Sequence, residues 1–251
     1  AVPGSFDAAW RGVDYFVEAG YRPQVIMCPY EGNYKEIDDV VRQAVEHGAG
    51  SVKFNPVTSA GRGGAMQKRG ETFGSEEIMK LARYIRGELQ DRTPIPLMIG
   101  LPPIFSTIKD LLRMEGIAGS CGIHGILGLL GSGEMALCGV GRNVPDMVFG
   151  VMGRDNLRDV WINNNVLKGM REAMAKKFPG ICGDCIHADS CLTHCAAHNF
   201  LDYGELIHPA KLCQELYESG QFPQSRRITG KPIDLAPALQ PVETGPNVVL
   251  Y

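Results

Sequence analysis

Apolar positions in the first part of the chain recur at two alternating periods. Phe6, Trp10, Val13, Phe16 and Val17 fall at helical spacing between Ser5, the expected N-cap, and Gly20. Val25-Ile26-Met27-Cys28 is a short apolar run stopped by Pro29, the pattern of a buried strand. Asn33 and Glu36 have capping-box spacing ahead of a helix with Ile37, Val40, Val41, Ala44 and Val45 on one side, closed near Gly48. Ser51 to Asn55 reads as a second strand, ended by Pro56. A Gly-rich basic loop, Ser59 to Gly64, follows, and then a helix capped by Ser75 with Ile78, Leu81 and Ile85 inward. This order, αβαβα, is that of a parallel α/β fold with crossover helices. Two strands cannot close a sheet, so residues 1–93 are expected to form part of a larger barrel or open sheet, with its first strand an exposed edge.

From Pro94 the pattern changes. Leu97 to Gly100 is a further strand candidate, and Ser106 is placed to cap a short helix with Ile108, Leu111 and Leu112. Beyond Cys121 the chain turns Gly-rich, and a hairpin is expected to turn at Gly131-Ser132-Gly133 with Cys121 and Cys138 at its outer ends. One helix should start at Asp155 and run through Leu157, Val160 and Trp161. A second should carry Val166, Met170, Met174 and Phe178, and a short one should surround Leu216. Residues 219–251, rich in Pro and polar side chains, read as an extended and loosely attached tail. The expected division is therefore 1–93, 94–218 and 219–251.

The slightly negative formal charge, −3, argues against nucleic-acid binding through general basicity. No apolar run is long enough to span a bilayer, and no basic stretch followed by an apolar one marks a signal peptide. A cytoplasmic setting is the expectation, and it counts against disulfides.

Chemistry concentrates in the cysteines. Four of the eight lie within fourteen residues, Cys182, Cys185, Cys191 and Cys195, spaced C-x2-C-x5-C-x3-C. Thiols this dense oxidise and cross-link unless something holds them, which leaves disulfides, zinc or iron–sulfur clusters. Four thiolates suffice for one zinc, but Cys121, Cys138 and Cys213 would then stand unexplained. Cys28, alone at a strand end, reads as a small buried hydrophobe. Gly61 to Gly64 reads as a flexible loop more than an anion site. His187, His194 and His198 are expected to tune hydrogen bonding at the knuckle or face solvent, and Asp184 and Asp189 to form turns.

The whole spacing resembles the seven-cysteine signature of the SPASM domain, the C-terminal extension of many radical SAM enzymes. Those include peptide maturases and anaerobic sulfatase maturases. Cys121, eleven residues, Gly133, four residues, Cys138, then the knuckle and finally Cys213 match that pattern at every position. The resemblance implies two auxiliary [4Fe-4S] clusters with interleaved ligands. Cluster I would take Cys121, Cys138 and Cys195, and cluster II would take Cys182, Cys185, Cys191 and Cys213. His124 is a positional candidate for the fourth ligand of cluster I.

Gly4-Ser5-Phe6 before a helix, and Phe54-Asn55-Pro56-Val57 before a Gly-Arg-Gly loop, resemble the second half of a radical SAM partial TIM barrel. Asn55 and Val57 would then lie on the S-adenosylmethionine side. The family's C-x3-C-x2-C motif is absent from this sequence. The expectation is therefore the C-terminal portion of a radical SAM enzyme: a half barrel followed by a cysteine-rich α+β domain with a hairpin and a cysteine knuckle. The resemblance further implies a peptide or protein substrate and a reductant such as flavodoxin or ferredoxin. In the intact family member a reduced cluster cleaves S-adenosylmethionine; no such chemistry is expected of this stretch alone. A non-catalytic electron-transfer module and a zinc-stabilised scaffold are the alternatives.

Overall fold

The computed structural model describes residues 2–107, 121–122, 125–174, 178–229, 242–244 and 248–250. The helix expected after Ser106 and the ligand candidate His124 lie outside the described residues. The chain divides into two units, residues 1–58 with 63–100, and residues 59–62 with 101–251.

The first unit is a three-stranded parallel sheet with crossover helices. Its strands are β1 (Gln24–Met27), β2 (Ser51–Phe54) and β3 (Leu97–Ile99), in the order β1-β2-β3. Val25 lies opposite Val52, and Val52 opposite Leu97. Val52 and Phe54 point into the core and are fully buried, as befits the central strand. Among the described strands β1 is one edge of the sheet and β3 the other. β1 was expected to be buried, but only Met27 is, while Ile26 is 56% exposed. An apolar run cannot tell a covered strand from an edge strand, because both keep one face on the core. Cys28 follows the edge and is exposed, which corrects its reading as a buried hydrophobe.

Helix α1 (Ser5–Glu18) buries Trp10 but leaves Phe6 and Phe16 exposed, so only part of its apolar stripe is covered. Trp10 stacks on His47 at 4.8 Å, and His47 in turn meets the Asp14 carboxylate at 2.5 Å. Gly4, in a left-handed conformation (φ 75°), stands at the cap position expected of Ser5. Helix α2 (Ile37–Glu46) buries Ile37, Val41 and Ala44. Asn33 does not close a capping box. Its side-chain oxygen accepts from the Tyr30 N–H at 2.9 Å instead, a local side-chain-to-backbone bond that competes with capping. The Gly-rich stretch expected as a loop opens helix α3 (Arg62–Lys68). Gly63 is required there, since a Cβ would collide with the Thr58 carbonyl. Helix α4 (Ser75–Tyr84) continues into a π turn over Ile85–Leu89.

The second unit holds a three-stranded antiparallel sheet, β4 (Gly128–Leu129), β5 (Glu134–Ala136) and β6 (Val148–Val151), in that order. Gly128 pairs with Ala136, and the turn between them is closed by the Gly133 N–H donating to the Leu130 carbonyl at 2.8 Å. Gly133 sits at φ 82°, where a side chain would be strained. Strand β6 was not expected. Helices α5 (Leu157–Asn163) and α6 (Asn165–Met174) follow. The Asn156 side chain caps α5 by accepting from the Asp159 N–H at 3.1 Å. Met135, Met147, Leu167, Met170, Leu206 and Ile207 make the centre of this unit's core, all nearly inaccessible to solvent. Three short helices then carry the knuckle and its surroundings: α7 (Ala188–Cys191), α8 (Ala196–Tyr203) and α9 (Lys211–Glu218). Strands β7 (Val242–Thr244) and β8 (Val248–Leu250) pair as an antiparallel ribbon within the stretch expected to be an extended tail.

Candidate metal centre

The knuckle begins with a 3-10 turn over Gly180–Asp184 that buries Ile181, Cys182 and Asp184. Its sequence packs apolar and thiol side chains inward while backbone groups stay free to turn. Cys182 and Cys185 flank the end of this turn, and the Cys185 N–H donates back to the Cys182 carbonyl at 3.3 Å. Cys191 ends α7, and Cys213 lies on the inner face of α9 beside Leu212 and Leu216. These four cysteines line one cavity with Pro102, Ile104, Ile181 and Phe222. Its wall is almost wholly apolar apart from the thiols, His187 and Thr193.

The thiols also act on one another electrostatically. Burial pushes the Cys213 thiol far above its ordinary range, and ionised Cys182, Cys191 and Cys185 would add to that cost. Burial does the same to Cys182, with Cys191 and Cys185 contributing. Cys191 is pushed up to about 12 by burial and then by Cys185. Cys195 is pushed up to about 11 by burial, and its thiol neighbours are Cys121 and Cys138. So Cys182, Cys185, Cys191 and Cys213 act on one another, while Cys195 is coupled to the two cysteines that flank the hairpin.

Cys191 and Cys195 are close in sequence yet belong to different sets, and the backbone between them shows why. Leu192, Thr193 and His194 all take left-handed conformations, with φ of 51°, 61° and 71°. Each such residue costs about 1–2 kcal/mol outside glycine, so three in a row persist only where the surroundings hold them. Asn199 does the holding. Its amide donates to the Thr193 carbonyl (3.2 Å), the Thr193 hydroxyl (3.1 Å) and the His208 carbonyl (2.7 Å). Asn199 and Thr193 are both buried, so those bonds are not exchanged for water.

The histidines approach the sulfurs through their backbones. The His187 N–H donates to Cys185 Sγ at 3.4 Å, and the Gly141 N–H to Cys138 Sγ at 3.3 Å. The N–H groups of His194 and His198 favour the ionised forms of Cys191 and Cys195 in the same way. Amide donors aimed at sulfur stabilise thiolate and are one of the levers by which proteins tune sulfur-ligated metals. The donor set therefore fits a thiolate-ligated group: buried sulfurs that resist ionising alone, met by N–H donors that favour the charged form. Among the described residues no three His, Cys, Asp or Glu side chains converge at the distances of a single bound ion.

The sequence reading missed the strap that closes the knuckle. Residues 224–229, expected to be loosely attached, pair with it: Cys185 and Arg227 form an antiparallel bridge. The Ile186 N–H donates to the Arg226 carbonyl at 3.0 Å, and the Ile228 N–H to the Asp184 carbonyl at 2.8 Å. Asp184 is a buried ion-pair member, in place of the turn-former expected. Its carboxylate accepts from Arg227 Nε at 2.7 Å and from the Thr229 N–H at 2.6 Å. Burial works against its ionisation, and those two donors overcome it, holding the carboxyl below its ordinary value. The only sequence signal was the charge itself, two arginines in an otherwise polar, Pro-containing stretch. Asp189 is exposed in the first turn of α7.

Asn55 and Val57 follow the C-terminal end of β2, where open α/β sheets bind ligands. Their N–H groups donate to the Met27 carbonyl (2.9 Å) and the Pro29 carbonyl (3.1 Å), carrying the β1–β2 pairing past both strand ends.

No family model matches the sequence, and no curated protein matches it. Among solved structures, the fold is similar to that of Streptococcus suis SuiB, determined bound to its precursor peptide SuiA. The TM-score is 0.60 at 15% identity over 83% of this chain. The likeness shows the fold alone, a mixed arrangement of helix and sheet. This chain spans 48% of the length of SuiB. No helix among the described residues is long and apolar enough to cross a membrane.

Proposed function

We propose that this chain is the auxiliary-cluster portion of a radical SAM/SPASM enzyme that modifies a peptide or protein. The observation that carries the reading is the sorting of seven cysteines into two sets. Cys182, Cys185, Cys191 and Cys213 line one apolar cavity. Cys121 and Cys138 act on Cys195 across the left-handed turn. In this reading the first set holds one [4Fe-4S] cluster completely and the second holds another through three sulfurs. When bound, such clusters supply one-electron capacity and, at an open iron, a point of attachment.

The chain's own residues do the rest. Amide N–H groups stabilise the thiolates, and the apolar wall of Ile104, Ile181 and Phe222 keeps water from them. The first unit is then part of the partial barrel, with Asn55 and Val57 at its S-adenosylmethionine side. The C-x3-C-x2-C motif that would hold a cluster for cleaving S-adenosylmethionine is not in this sequence. The likeness to SuiB, solved with a precursor peptide, supports a peptide as the substrate class. An electron donor such as a flavodoxin or ferredoxin would serve the clusters.

Anaerobic reconstitution with iron and sulfide tests the reading. It should give a brown protein containing both elements, with less of each after Cys182→Ala or Cys138→Ala. Stoichiometric zinc without sulfide would replace it by the scaffold reading.

A further inference from the structure

The sorted cysteines do not account for Arg226. It lies on the strap opposite the knuckle, with its carbonyl accepting from the Ile186 N–H at 3.0 Å. The residue is half-buried, and its guanidinium meets the cysteine cavity through His187. Nη1 reaches His187 Nε2 at 3.1 Å, and Nη2 donates to the Ser106 carbonyl at 3.3 Å. His187 lines the cavity, and its own N–H bonds Cys185 Sγ at 3.4 Å. So the arginine stands one residue behind the sulfur, held by two neutral acceptors.

The charges around it make the arrangement selective. Asp184, adjacent to Cys185 in sequence, would place a negative charge beside the sulfurs. Arg227 pairs with it at 2.7 Å, and both side chains are only 6% exposed, so much of that charge is offset locally. Among the described residues no carboxylate pairs with Arg226. Arg226 thus places a positive charge without a carboxylate partner behind Cys185, in a half-buried site where Coulomb interactions are screened less than in water.

A thiolate-ligated cluster gains negative charge when reduced, so a fixed cation beside it stabilises the reduced state and raises its potential. We propose that Arg226 is a positioning residue that sets the reduction potential of the group held by Cys182, Cys185, Cys191 and Cys213, with the Asp184–Arg227 pair anchoring the strap that carries it. The proposal rests on the cluster reading above.

The test is a redox titration followed by electron paramagnetic resonance on the anaerobically reconstituted full chain, beside Arg226→Gln and Arg226→Lys. The signal that survives Cys138→Ala belongs to the four-cysteine site. With unchanged iron and sulfide content, Arg226→Gln should move that signal to a more negative potential, and Arg226→Lys should leave it close to the parent. A fully loaded Arg226→Gln chain at the parent potential would overturn the proposal. So would an Arg226→Lys chain displaced as far as the glutamine variant, since geometry rather than charge would then matter. Iron loss from the site in either variant would assign the arginine to retention instead of tuning, and overturns it too. A parent chain that takes up no iron and sulfide would remove the cluster reading itself, and that result is visible before any variant is compared.

Discussion

Asn199 reaches back to Thr193, six residues earlier, with one amide nitrogen that meets both its carbonyl (3.2 Å) and its hydroxyl (3.1 Å). That contact spans the only run of non-glycine residues with positive φ among the described residues. Asn199→Ala removes the donor; the Thr193 carbonyl keeps the Cys195 N–H at 3.0 Å, but the Thr193 hydroxyl and the His208 carbonyl lose this partner, at a cost of about 1–3 kcal/mol. Urea unfolding should show the loss. Cys195 should also become faster to alkylate, because the turn that carries it is no longer held. Unchanged alkylation would mean that the turn is maintained elsewhere.

The Asp184–Arg227 pair should respond asymmetrically. Asp184→Ala strands a guanidinium in a buried site and should destabilise the second unit by about 3–5 kcal/mol. Its pH dependence has a definite sign. The folded carboxyl lies below its unfolded value, so its contribution is present at neutral pH and lost as pH falls through the folded value. Acid unfolding of the parent should therefore be steeper than that of Asp184→Asn. Parallel acid transitions would show that the pair is not what holds the strap.

In the metal-free chain the thiols titrate the other way. Cys191 at about 12 and Cys195 at about 11 lie above their ordinary value of 9.0. The folded state thus keeps protons that the unfolded state releases. Stability should be complete below the unfolded thiol value and fall as pH rises toward these folded values. Urea midpoints measured with a chelator at about pH 8 and about pH 10 should differ, with the lower midpoint at the higher pH. A higher midpoint at the higher pH would refute the burial assignment.

Metal ligation should supply much of the folding free energy around the knuckle. Limited proteolysis of reconstituted protein should cut Cys191→Ala between residues 180 and 213 while the parent stays intact. Cys28→Ala should behave as the parent, because Cys28 is exposed and remote from the thiol sets in sequence. Equal protection of all three proteins would show that Cys191 is not a ligand.

The two kinds of information in this chain were unequally legible. The cysteine spacing was readable because the cysteines of one knuckle are neighbours in sequence, and a hairpin glycine such as Gly133 has a local reason to be there. The crossover order of the first sheet was readable for the same reason: Val52 and Phe54 sit at period two within one short run. What could not be read depends on partners far away. Arg227 finds Asp184 across 43 positions, and no local pattern marks either residue. Strand β6 is four residues long, and Gly150 interrupts its apolar run, so it lacks the periodicity that reveals longer strands. Asn33 carried the right spacing for a cap, but an N–H on its other side, that of Tyr30, took its oxygen.

The overlap of the two thiol sets along the chain makes the knuckle indivisible. One set spans 121–195 and the other 182–213, so residues 182–195 are shared territory. A cut anywhere inside that segment separates members of both sets at once. Ending the chain before 213 unmakes the four-cysteine site even if every residue of the knuckle is kept. Starting it after 138 unmakes the other. Excision, grafting or fusion must therefore carry everything from 121 through 213, and the strap to 229 with it.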